Sequence, residues 1–317
     1  MRRCAAIDVG TNTVLLLVAE ERLPGPADGP GEAAWVPLVE RAEITRLGRG
    51  VDRSGALEPG AIRDTVAVLA RFAREARALG AADLACVATS AARDASNGEA
   101  FFSAARAEAG LAPEVISGDE EARLVWASAW RDFGGPGGLA VLDVGGGSTE
   151  LCAGDASVPR ARASVQMGAV RLTERVAPPD PPDPAALALL RLRASEALAP
   201  AARALLQGAP RPARLVGIAG TVTTLAAVAQ ALPHYDAERV HGSELALAEV
   251  EALFGMLAAL PVTERARLPG MEPKRADVIV GGCAIVMEAL RALGFERLTV
   301  SDRGVRWGLL YDRFGHV

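Results

Sequence analysis

Two short segments carry the residue types that could bind phosphate. Asp8 ends the apolar run RCAAID and precedes Val-Gly-Thr-Asn-Thr, whereas Asp143 ends GLAVLD and precedes Val-Gly-Gly-Gly-Ser-Thr. Glycines let a backbone approach a ligand closely, and consecutive amide groups with hydroxyls can donate to phosphate oxygens. A carboxylate cannot contact phosphate directly, so its useful role would be to hold Mg²⁺ or its waters. We call residues 8–13 the first turn and residues 143–149 the second turn, and the glycine triplet makes the second the stronger signal.

A third glycine segment, Gly-Ile-Ala-Gly-Thr at residues 217–221, joins a predicted strand to a predicted helix. The first amide groups of a helix have no partner inside it, and the positive end of the helix dipole lies there too. Gly220 and Thr221 could therefore hold a nucleotide or a distal phosphate. A tight corner between strand and helix, with no ligand, explains the same residues equally well.

Three acids follow one another in the segment ISGDEEARLVW at residues 116–126. Ser117 and Glu120 fit a capping box that opens a helix, and acids in the first turn of a helix offset its dipole. That structural explanation covers Asp119 and Glu120. Glu121 can project differently from its neighbours, and a carboxylate that stays ionised there can take a proton from water. Glu121 is therefore the candidate general base.

Arginines in two segments are candidates for contact with a polyanion. Arg93 lies just past a predicted strand end, where a guanidinium could stabilise charge on a phosphoryl group. Arg46 and Arg49 lie in the glycine loop RLGRGVD. An ordinary solvated surface position is the alternative explanation for all three.

The elements around these residues repeat along the chain. Strand, tight turn and strand at 3–20 precede a loop at 24–31 and a third strand at 33–41, and the same order recurs after a glycine-rich link at 133–138. We interpret this as a duplicated α/β unit with mixed sheets covered by helices, although a single such hairpin is a common structure. The other predicted strands are 83–90, 113–117, 138–143, 148–155, 159–166, 213–220 and 297–302, and the predicted helices are 59–79, 98–109, 185–207, 221–232, 246–259, 274–293 and 303–314.

Composition excludes several classes of protein. The chain has 317 residues, a length that indicates two domains, and its 50% hydrophobic and 23% charged residues indicate that they are folded. The formal charge of −5 argues against a general nucleic-acid binder. No Gly-Lys-Ser/Thr tripeptide occurs, so a P-loop is excluded. Four scattered cysteines and three histidines favour a reduced, cytoplasmic protein without a His-rich metal centre. No run is long and apolar enough to predict a membrane span.

Seven motifs in order resemble one known family. They are AAIDVGTNTVLLLVA, RLGRGVD, ATSAARDASN, ISGDEEARL, VLDVGGGSTEL, GIAGTVTTLAAV and LTVSDRGVRWGLLYD. They are similar to the exopolyphosphatase / guanosine pentaphosphate phosphohydrolase family in its short form, without a C-terminal HD-type domain. The turns alone would fit the broader actin-like superfamily. The pair ISG-x-EEA and D-x-GGGST-E is the more specific signal.

The resemblance implies an α/β fold of two duplicated actin-like, ribonuclease-H-type domains. Each would have a mixed five-stranded sheet flanked by helices, with a cleft between the domains. The lobes are expected at residues 1–125 and 126–317, with the closing helix 303–317 packing back on the first lobe. The implied reaction is hydrolysis of a terminal phosphoanhydride by Mg²⁺-assisted attack of water, with release of orthophosphate from inorganic polyphosphate. Guanosine pentaphosphate is the alternative substrate.

The family's site residues carry over onto matching positions. Glu121 would activate the attacking water, Arg93 would contact the reacting phosphoryl group, and Asp143 with Glu150 and Asp8 would hold Mg²⁺. Where family members often have Arg-Glu this chain has Arg306-Trp307, so any role of that acid is lost. The expected phosphate-binding residues are Asp8, Gly10, Thr11, Asn12, Thr13, Gly145, Gly146, Gly147, Ser148, Thr149, Gly220 and Thr221.

Two other functions stay open at this point. An actin-like kinase or ATPase would hold a nucleotide at 217–221. A non-catalytic sensor would bind guanosine tetra- or pentaphosphate without hydrolysing it, but it would gain nothing from a water-activating acid. We expect a polyphosphate or guanosine pentaphosphate substrate, no nucleic-acid polymer and no membrane as partner, and a homodimer is plausible.

Overall fold

The computed structural model of the protein describes residues 1–22, 34–208 and 210–315. The loop predicted at 24–31 and the last two residues of the closing segment lie outside this described part. The chain divides into two compact units. The first unit comprises residues 1–117 and 305–317, and the second unit comprises residues 118–304.

Five strands form the sheet of the first unit: β1 (Arg3–Val9), β2 (Thr13–Arg22), β3 (Ala34–Ile44), β4 (Asp83–Ala88) and β5 (Glu114–Val115). Their order across the sheet is β3-β2-β1-β4-β5. β1 pairs antiparallel with β2 and parallel with β4, so the first hairpin lies in the middle of the sheet. Alternate residues of each strand point to opposite faces. One face carries Ile7, Val9 and Leu16, which are buried in the core of this unit.

The helix α2 (Pro59–Ala78) covers that face. Pro59 suits the first helical position because its missing N–H is not needed there. Val66, Leu69 and Phe72 recur at helical spacing and belong to the same buried cluster as the strand residues. The remaining helices of the unit are α1 (Val51–Ser54), α3 (Ser90–Asp94), α4 (Gly98–Ala104), which continues as a π-helical turn (Ala105–Ala109), and α13 (Val305–Phe314).

Six strands form the sheet of the second unit: β6 (Leu139–Val144), β7 (Thr149–Gly154), β8 (Ala161–Val165), β9 (Arg214–Ile218), β10 (Glu244–Ala246) and β11 (Arg297–Val300). Their order is β10-β11-β9-β6-β7-β8. Leu142, Val144 and Leu151 lie on the face that packs into the large core with the helices. The helices are α5 (Gly118–Phe133), α6 (Ala169–Val176), α7 (Pro184–Leu206), α8 (Ala219–Ala229), α9 (Ala237–Val240), α10 (Leu247–Ala258), α11 (Val262–Arg265) and α12 (Ile279–Leu293), with a 3₁₀ turn at Pro273–Arg275.

The two sheets share one plan, which confirms the predicted duplicated, mixed α/β fold. In each, three strands run antiparallel in chain order, and two later strands add in parallel beside the first. The prediction of five strands is right for the first sheet and wrong for the second. The sixth strand is β10, whose three residues pair antiparallel with β11.

The predicted domain boundary at 125/126 falls inside helix α5, whereas the units divide between Ser117 and Gly118. Helix α5 follows β5 of the first unit but packs on β6, β7 and β8 of the second. Helix α13 follows β11 of the second unit but packs on β1 of the first. Each sheet is therefore covered by a helix that the chain enters after leaving the other sheet. No helix in the described ranges is long and apolar enough to span a membrane.

Candidate active site

The second turn is the loop of the β6–β7 hairpin, and the amide of Gly145 closes it by donating to the carbonyl of Ser148 at 3.1 Å. The start of helix α6 packs on this loop. The amides of Ala169 and Val170 donate to the carbonyls of Gly145 and Gly146 at 2.9 and 3.0 Å. The helix can come this close because its N-cap is Gly168, where an added Cβ would lie 2.4 Å from the Gly146 carbonyl carbon.

This packing leaves the second turn electrically polarised. The carbonyls of Gly145 and Gly146 point to helix α6, whereas the amides of Gly146, Gly147 and Ser148 donate to no acceptor in the part of the chain that the structure describes. Successive turn amides without a protein acceptor can bind an anion. The arrangement fits the predicted phosphate role of residues 145–148, which stays a prediction.

Thr149 differs from its neighbours in the turn. Its hydroxyl donates to the carbonyl of Met167 at 2.5 Å. A hydroxyl has one proton to donate, and here that proton fixes the segment before α6. The predicted phosphate contact of Thr149 stays a prediction.

The first turn is built in the same way. The amide of Gly10 donates to the carbonyl of Thr13 at 3.0 Å, and the loop after β3 binds the carbonyls of Thr11 and Asn12. The amides of Thr11 and Asn12 donate to no acceptor among the described residues. Within the same residues, the buried side-chain nitrogen of Asn12 also has no hydrogen-bond partner. These N–H groups fit the predicted phosphate role of the first turn, which has Asp8 and Thr13 at its two ends and whose role stays a prediction.

The RLGRGVD motif supplies the loop that holds the first turn. The amide of Gly48 donates to the carbonyl of Thr11 at 2.8 Å, and an added Cβ at Gly48 would lie 2.3 Å from Thr11 Cγ2. Arg46 adopts a left-handed backbone with φ of 56°. The guanidinium of Arg49 pairs with Glu58 at 2.7 Å. The motif thus holds the first turn in place, and Gly48 allows the close approach to Thr11.

Two carboxylates face each other at the base of the second turn. Asp143 and Glu150 are direct cross-strand partners in the β6–β7 hairpin, and both are buried. Such partners have Cβ atoms about 5 Å apart. Burial raises the pKa of Asp143 to about 7. The hydroxyl of Ser164 on β8 donates to Glu150 Oε1 at 2.8 Å.

The donor set fits a hard divalent cation. Mg²⁺ prefers oxygen ligands and is often held by one or two carboxylates with waters and substrate phosphates completing its shell. A cation would also offset two buried negative charges. Within the described residues no three His, Cys, Asp or Glu side chains gather as a metal cluster. The second unit thus supplies the carboxylates of Asp143 and Glu150, and the metal role of Asp8 stays a prediction.

The structure separates the three acids at the start of helix α5. Asp119 is exposed and receives two hydrogen bonds from Arg162, which hold its pKa below the usual value. Glu120 is partly exposed and receives two from Arg123, at 2.8 and 2.6 Å. Glu121 is buried, with 8% of its surface exposed. The structural explanation therefore suffices for the first two acids and not for Glu121.

Helix α5 brings Glu121 to the face of the sheet that carries the two carboxylates. Asp143 and Glu150 lie opposite to the core face, and Cys152, two residues after Glu150, donates its thiol to the carbonyl of Ala122 on α5 at 3.2 Å. At its beginning, Gly118 packs directly against Ser164, the partner of Glu150. The first turn of α5 therefore lies at the end of the sheet where the acid pair is found.

Arg93 ends the short helix α3 in the first unit. Its Nη1 donates to the carbonyl of Ile116 at 2.9 Å, and its Nε lies 3.5 Å from a carboxylate oxygen of Asp94. One-fifth of its side chain is exposed. The carbonyl bond anchors the guanidinium after β4, and its predicted contact with a phosphoryl group is untested.

The 217–221 segment forms the strand-to-helix corner before α8. Gly220 lies in the first turn of the helix, and an added Cβ there would lie 2.1 Å from Arg275 Nη2. Burial lowers the pKa of this arginine. Thr221 is buried against Gly282 of α12. Their predicted phosphate contacts remain predictions, and Arg275 is a cation that the sequence interpretation did not place there.

Comparison with known proteins decides the family. The model of the Ppx/GppA phosphatase family matches residues 31–316. The chain belongs to this family. It is 39% identical to exopolyphosphatase 2 of Mycobacterium tuberculosis, with 99% of each chain covered, and 31% identical to exopolyphosphatase 1 of Mycobacterium leprae, with 97% and 88% covered.

Solved structures agree with this assignment. The Ppx/GppA family member of Aquifex aeolicus superposes with a TM-score of 0.79 at 31% identity, covering 98% of this chain and 97% of that one. An exopolyphosphatase of Cytophaga hutchinsonii gives a TM-score of 0.86 at 26% identity, with 98% and 97% covered. The predicted actin-like fold of the Ppx/GppA family is therefore confirmed.

Trp307, where the chain departs from the expected family pattern, lies beside an acidic residue of β3. Trp307 is buried, and its indole nitrogen donates to Glu40 Oε2 of β3 at 3.3 Å. The guanidinium of Arg306 pairs with the same carboxylate. Glu40 is therefore a shared partner of Arg306 and Trp307 within the first unit.

Sequence reasoning missed two contributors to the site and one ion pair elsewhere. Ser164 holds Glu150 and Gly168 lets α6 reach the second turn, whereas Glu40 binds Arg306 within the first unit. Ser164 lies in the predicted third strand, where alternation assigns it to one face of the sheet but does not fix its position opposite Glu150. No signal in the sequence pairs Glu40 with Arg306, because they are far apart in the chain.

Proposed function

We propose that this chain, a phosphoanhydride hydrolase of the Ppx/GppA phosphatase family, releases terminal orthophosphate from inorganic polyphosphate. The single observation that carries the proposal lies in the second unit. In one unit, a turn has three amides that donate to no acceptor among the described residues, two buried carboxylates flank that turn, and the helix that packs on the same sheet carries the buried Glu121. That combination provides anion binding, a place for a cation and a base within one unit.

The amides of Gly146, Gly147 and Ser148 would bind oxygens of the terminal phosphates. Because helix α6 binds the carbonyls of Gly145 and Gly146, and the Gly145 amide binds the Ser148 carbonyl, the turn is held in place before substrate arrives. Donors fixed in this way stabilise developing charge without reorganising. Thr11 and Asn12 offer amides of the same kind on the first unit.

Asp143 and Glu150 would hold Mg²⁺. When bound, the ion supplies neutralisation of phosphate oxygen charge and helps orient the anhydride. The chain contributes the geometry: the hairpin register sets the two carboxylates side by side, and Ser164 fixes one of them. Arg93 would add a second positive charge, anchored through Ile116.

Glu121 would act as general base. Its place in the first turn of α5 exposes it to the positive end of the helix dipole, which favours the ionised carboxylate. It would orient a water molecule for in-line attack on the terminal phosphorus and take its proton. Catalysis would otherwise consist of positioning and charge stabilisation, as in phosphoryl transfer generally.

Polyphosphate is favoured over other anhydrides by the relatives' names. Two mycobacterial proteins that match along almost the whole chain are exopolyphosphatases. The net charge of −5 means that a polyanion must be held by local amides, arginines and cation rather than by the field of the whole protein. Binding should therefore weaken at high salt and require a divalent cation.

The test is orthophosphate release from four substrates in parallel: long polyphosphate, short polyphosphate, guanosine pentaphosphate and ATP. Each is measured with Mg²⁺ and with EDTA. We expect release from polyphosphate, dependent on Mg²⁺. Faster release from guanosine pentaphosphate would move the substrate assignment to that nucleotide, and phosphate transfer to ADP would favour the kinase alternative. Binding of guanosine tetraphosphate with no release from any substrate would indicate a sensor.

A further inference from the structure

Ser164 lies between the Asp143–Glu150 pair and the acidic start of helix α5 in the second unit. It lies on β8, the edge strand of the sheet, directly opposite Glu150 in the β7–β8 register. Its hydroxyl donates to Glu150 Oε1 at 2.8 Å. Glu150 is buried, with 1% of its surface exposed, so this bond acts in a dry environment where hydrogen bonds are strong.

The start of helix α5 closes over the same serine. A Cβ added at Gly118 would lie 2.4 Å from Ser164 Oγ and 2.5 Å from Ser164 Cβ. Only a residue without a side chain fits there, so Gly118 and Ser164 are in direct contact. The contact restricts the directions in which the serine hydroxyl can turn. Ser164 is thus held from one side by the helix that carries Glu121, and it holds Glu150 on the other.

Neighbouring interactions along β8 keep this contact in register. Arg162, two residues before Ser164 on the same face of the strand, forms a bidentate pair with Asp119, the residue after Gly118. The edge strand is therefore tied to the helix at two successive positions of one face. These contacts restrain Ser164 opposite Glu150 although it lies on an edge strand.

We propose that Ser164 is a positioning residue for the divalent cation site: it fixes the Glu150 carboxylate in the orientation in which, together with Asp143, it binds the ion. The inference rests on the proposed function, since that function assigns the ion to these two carboxylates. Hydrogen bonds from outside the ligand set commonly orient ligating carboxylates, and their loss weakens metal affinity about 10–100-fold. Ser164 itself contacts neither the substrate nor the reacting atoms.

The experiment measures binding of Mn²⁺ alone, as a spectroscopic stand-in for Mg²⁺, by electron paramagnetic resonance. Wild-type protein, Ser164→Ala and a control, Ser243→Ala, are titrated. Ser243 suits as control because it is also part-buried in the second unit and donates one hydrogen bond, to the Val240 carbonyl at 2.7 Å. We expect Ser164→Ala to bind Mn²⁺ about tenfold more weakly, with the control unchanged.

A second readout separates positioning from general damage. The Mg²⁺ concentration that gives half-maximal phosphate release should rise by a similar factor in Ser164→Ala, while kcat at saturating Mg²⁺ stays close to wild type. A merely structural serine would lower thermal stability, as in Ser243→Ala, and leave the metal dependence unchanged.

Each outcome bears on one of the two ideas. Equal Mn²⁺ affinity in wild type and Ser164→Ala would overturn the positioning role while the proposed function stands. Wild-type protein that binds Mn²⁺ but releases no phosphate would overturn the proposed function, and the Mn²⁺ titration would still decide the role of Ser164. Wild-type protein that binds no Mn²⁺ would overturn the positioning role together with the assigned ion site.

Discussion

The first and second turns share a backbone and differ in the chemistry beside it. Both are closed by one amide-to-carbonyl bond of nearly equal length, from Gly10 to Thr13 and from Gly145 to Ser148. Both have their carbonyls bound by a segment that approaches through a glycine. Across the hairpin, however, Asp8 faces Leu15, whereas Asp143 faces Glu150. The two hairpins therefore share turn amides that donate to no acceptor among the described residues, and a cross-strand acid pair is found in the second hairpin and not in the first.

The covering helices differ in the same way. The fourth residue of α5 is the buried Glu121, and the fourth residue of α13 is Gly308. Helix α13 contributes instead Arg306 and Trp307, which bind Glu40 within the first unit. Under the proposed function, the base and two of the expected cation ligands lie in the second unit, and the first unit would add N–H groups, Arg93 and the predicted ligand Asp8.

The largest effect should come from removing the proposed base. Glu121→Gln keeps the shape and hydrogen-bonding capacity of the side chain but cannot accept a proton from water, so turnover should fall at least ~10²-fold. Steady-state phosphate release and substrate binding by calorimetry measure this. Glu120→Gln is the matched control, because that neighbour is paired with Arg123 on the surface and should leave turnover nearly unchanged. Equal losses in both variants would remove Glu121 from this role.

The acid pair can be tested by comparing two aspartates in equivalent turns. Asp143→Asn removes one of the two paired carboxylates. Losing one charged ligand should weaken Mg²⁺ binding by ~1.5–3 kcal/mol, which raises the Mg²⁺ requirement roughly 10–100-fold. Asp8→Asn, opposite Leu15, should have a smaller effect. The measurement is the Mg²⁺ concentration at half-maximal phosphate release. If both variants lose the same amount, Asp8 belongs to the metal set as the sequence predicts, and the two turns are chemically more alike than their neighbours suggest.

Protonation of Asp143 provides a further test of the second turn. The Asp143 pKa rises from 3.8 to about 7 on folding, so between these values the folded protein holds a proton that the unfolded chain has lost. Because the folded protein binds this proton more tightly than the unfolded chain does, protonation of Asp143 stabilises the fold. The stabilisation is fully present below about pH 4 and is lost as pH rises through about 7. In EDTA, the free energy of unfolding of wild type should fall by on the order of a few kcal/mol relative to Asp143→Asn across this window.

Urea denaturation of both proteins at pH 5, 6, 7 and 8 measures that difference. Wild type and Asp143→Asn should be closest to parallel above pH 8, where Asp143 is ionised in both states. Identical pH slopes for the two proteins between pH 5 and 8 would show that Asp143 titrates normally and that the buried pair exerts no such effect.

Much of the fold could be predicted because the same sequence pattern occurs in both units. An apolar strand that ends in Asp, a glycine turn and a returning strand are local patterns, and both hairpins form where the sequence places them. The strand β10 could not be predicted, because its three residues become a strand only by pairing with β11, far along the chain. The domain boundary was misplaced for a similar reason: the apolar stripe of α5 shows that the helix is covered but not which sheet covers it.

The site could be predicted to the level of residue types and less well to the level of contacts. Burial singles out Glu121 from Asp119 and Glu120, which pattern alone leaves ambiguous because all three suit a helix N-terminus. The bond from Thr149 to Met167 was invisible, since it depends on where the chain returns after β8. Gly168 was overlooked because its value lies in a close approach to another segment rather than in its own backbone angles.

The smallest expected effect compares the glycines that let each turn be held. At Gly168 an added Cβ would lie 2.4 Å from the carbonyl carbon and oxygen of Gly146, which are backbone and cannot move without displacing the turn. At Gly48 the nearest atoms belong to side chains: Thr11 Cγ2 lies at 2.3 Å and Ala91 Cβ at 2.9 Å. Gly168→Ala should therefore lower the free energy of unfolding by ~1–3 kcal/mol and raise KM for polyphosphate. Gly48→Ala should have a smaller effect on both quantities.

Gly255→Ala in helix α10 is the control, because an added Cβ there meets no atom within 4 Å. Since alanine restricts the unfolded chain and favours a helix, this variant should be slightly more stable than wild type, by ~0.4–1 kcal/mol. Thermal unfolding and KM for polyphosphate measure all three variants. If Gly48→Ala proves the more harmful, the first turn is the more rigid cradle, and the difference between the turns lies in their packing as well as in the carboxylates beside them.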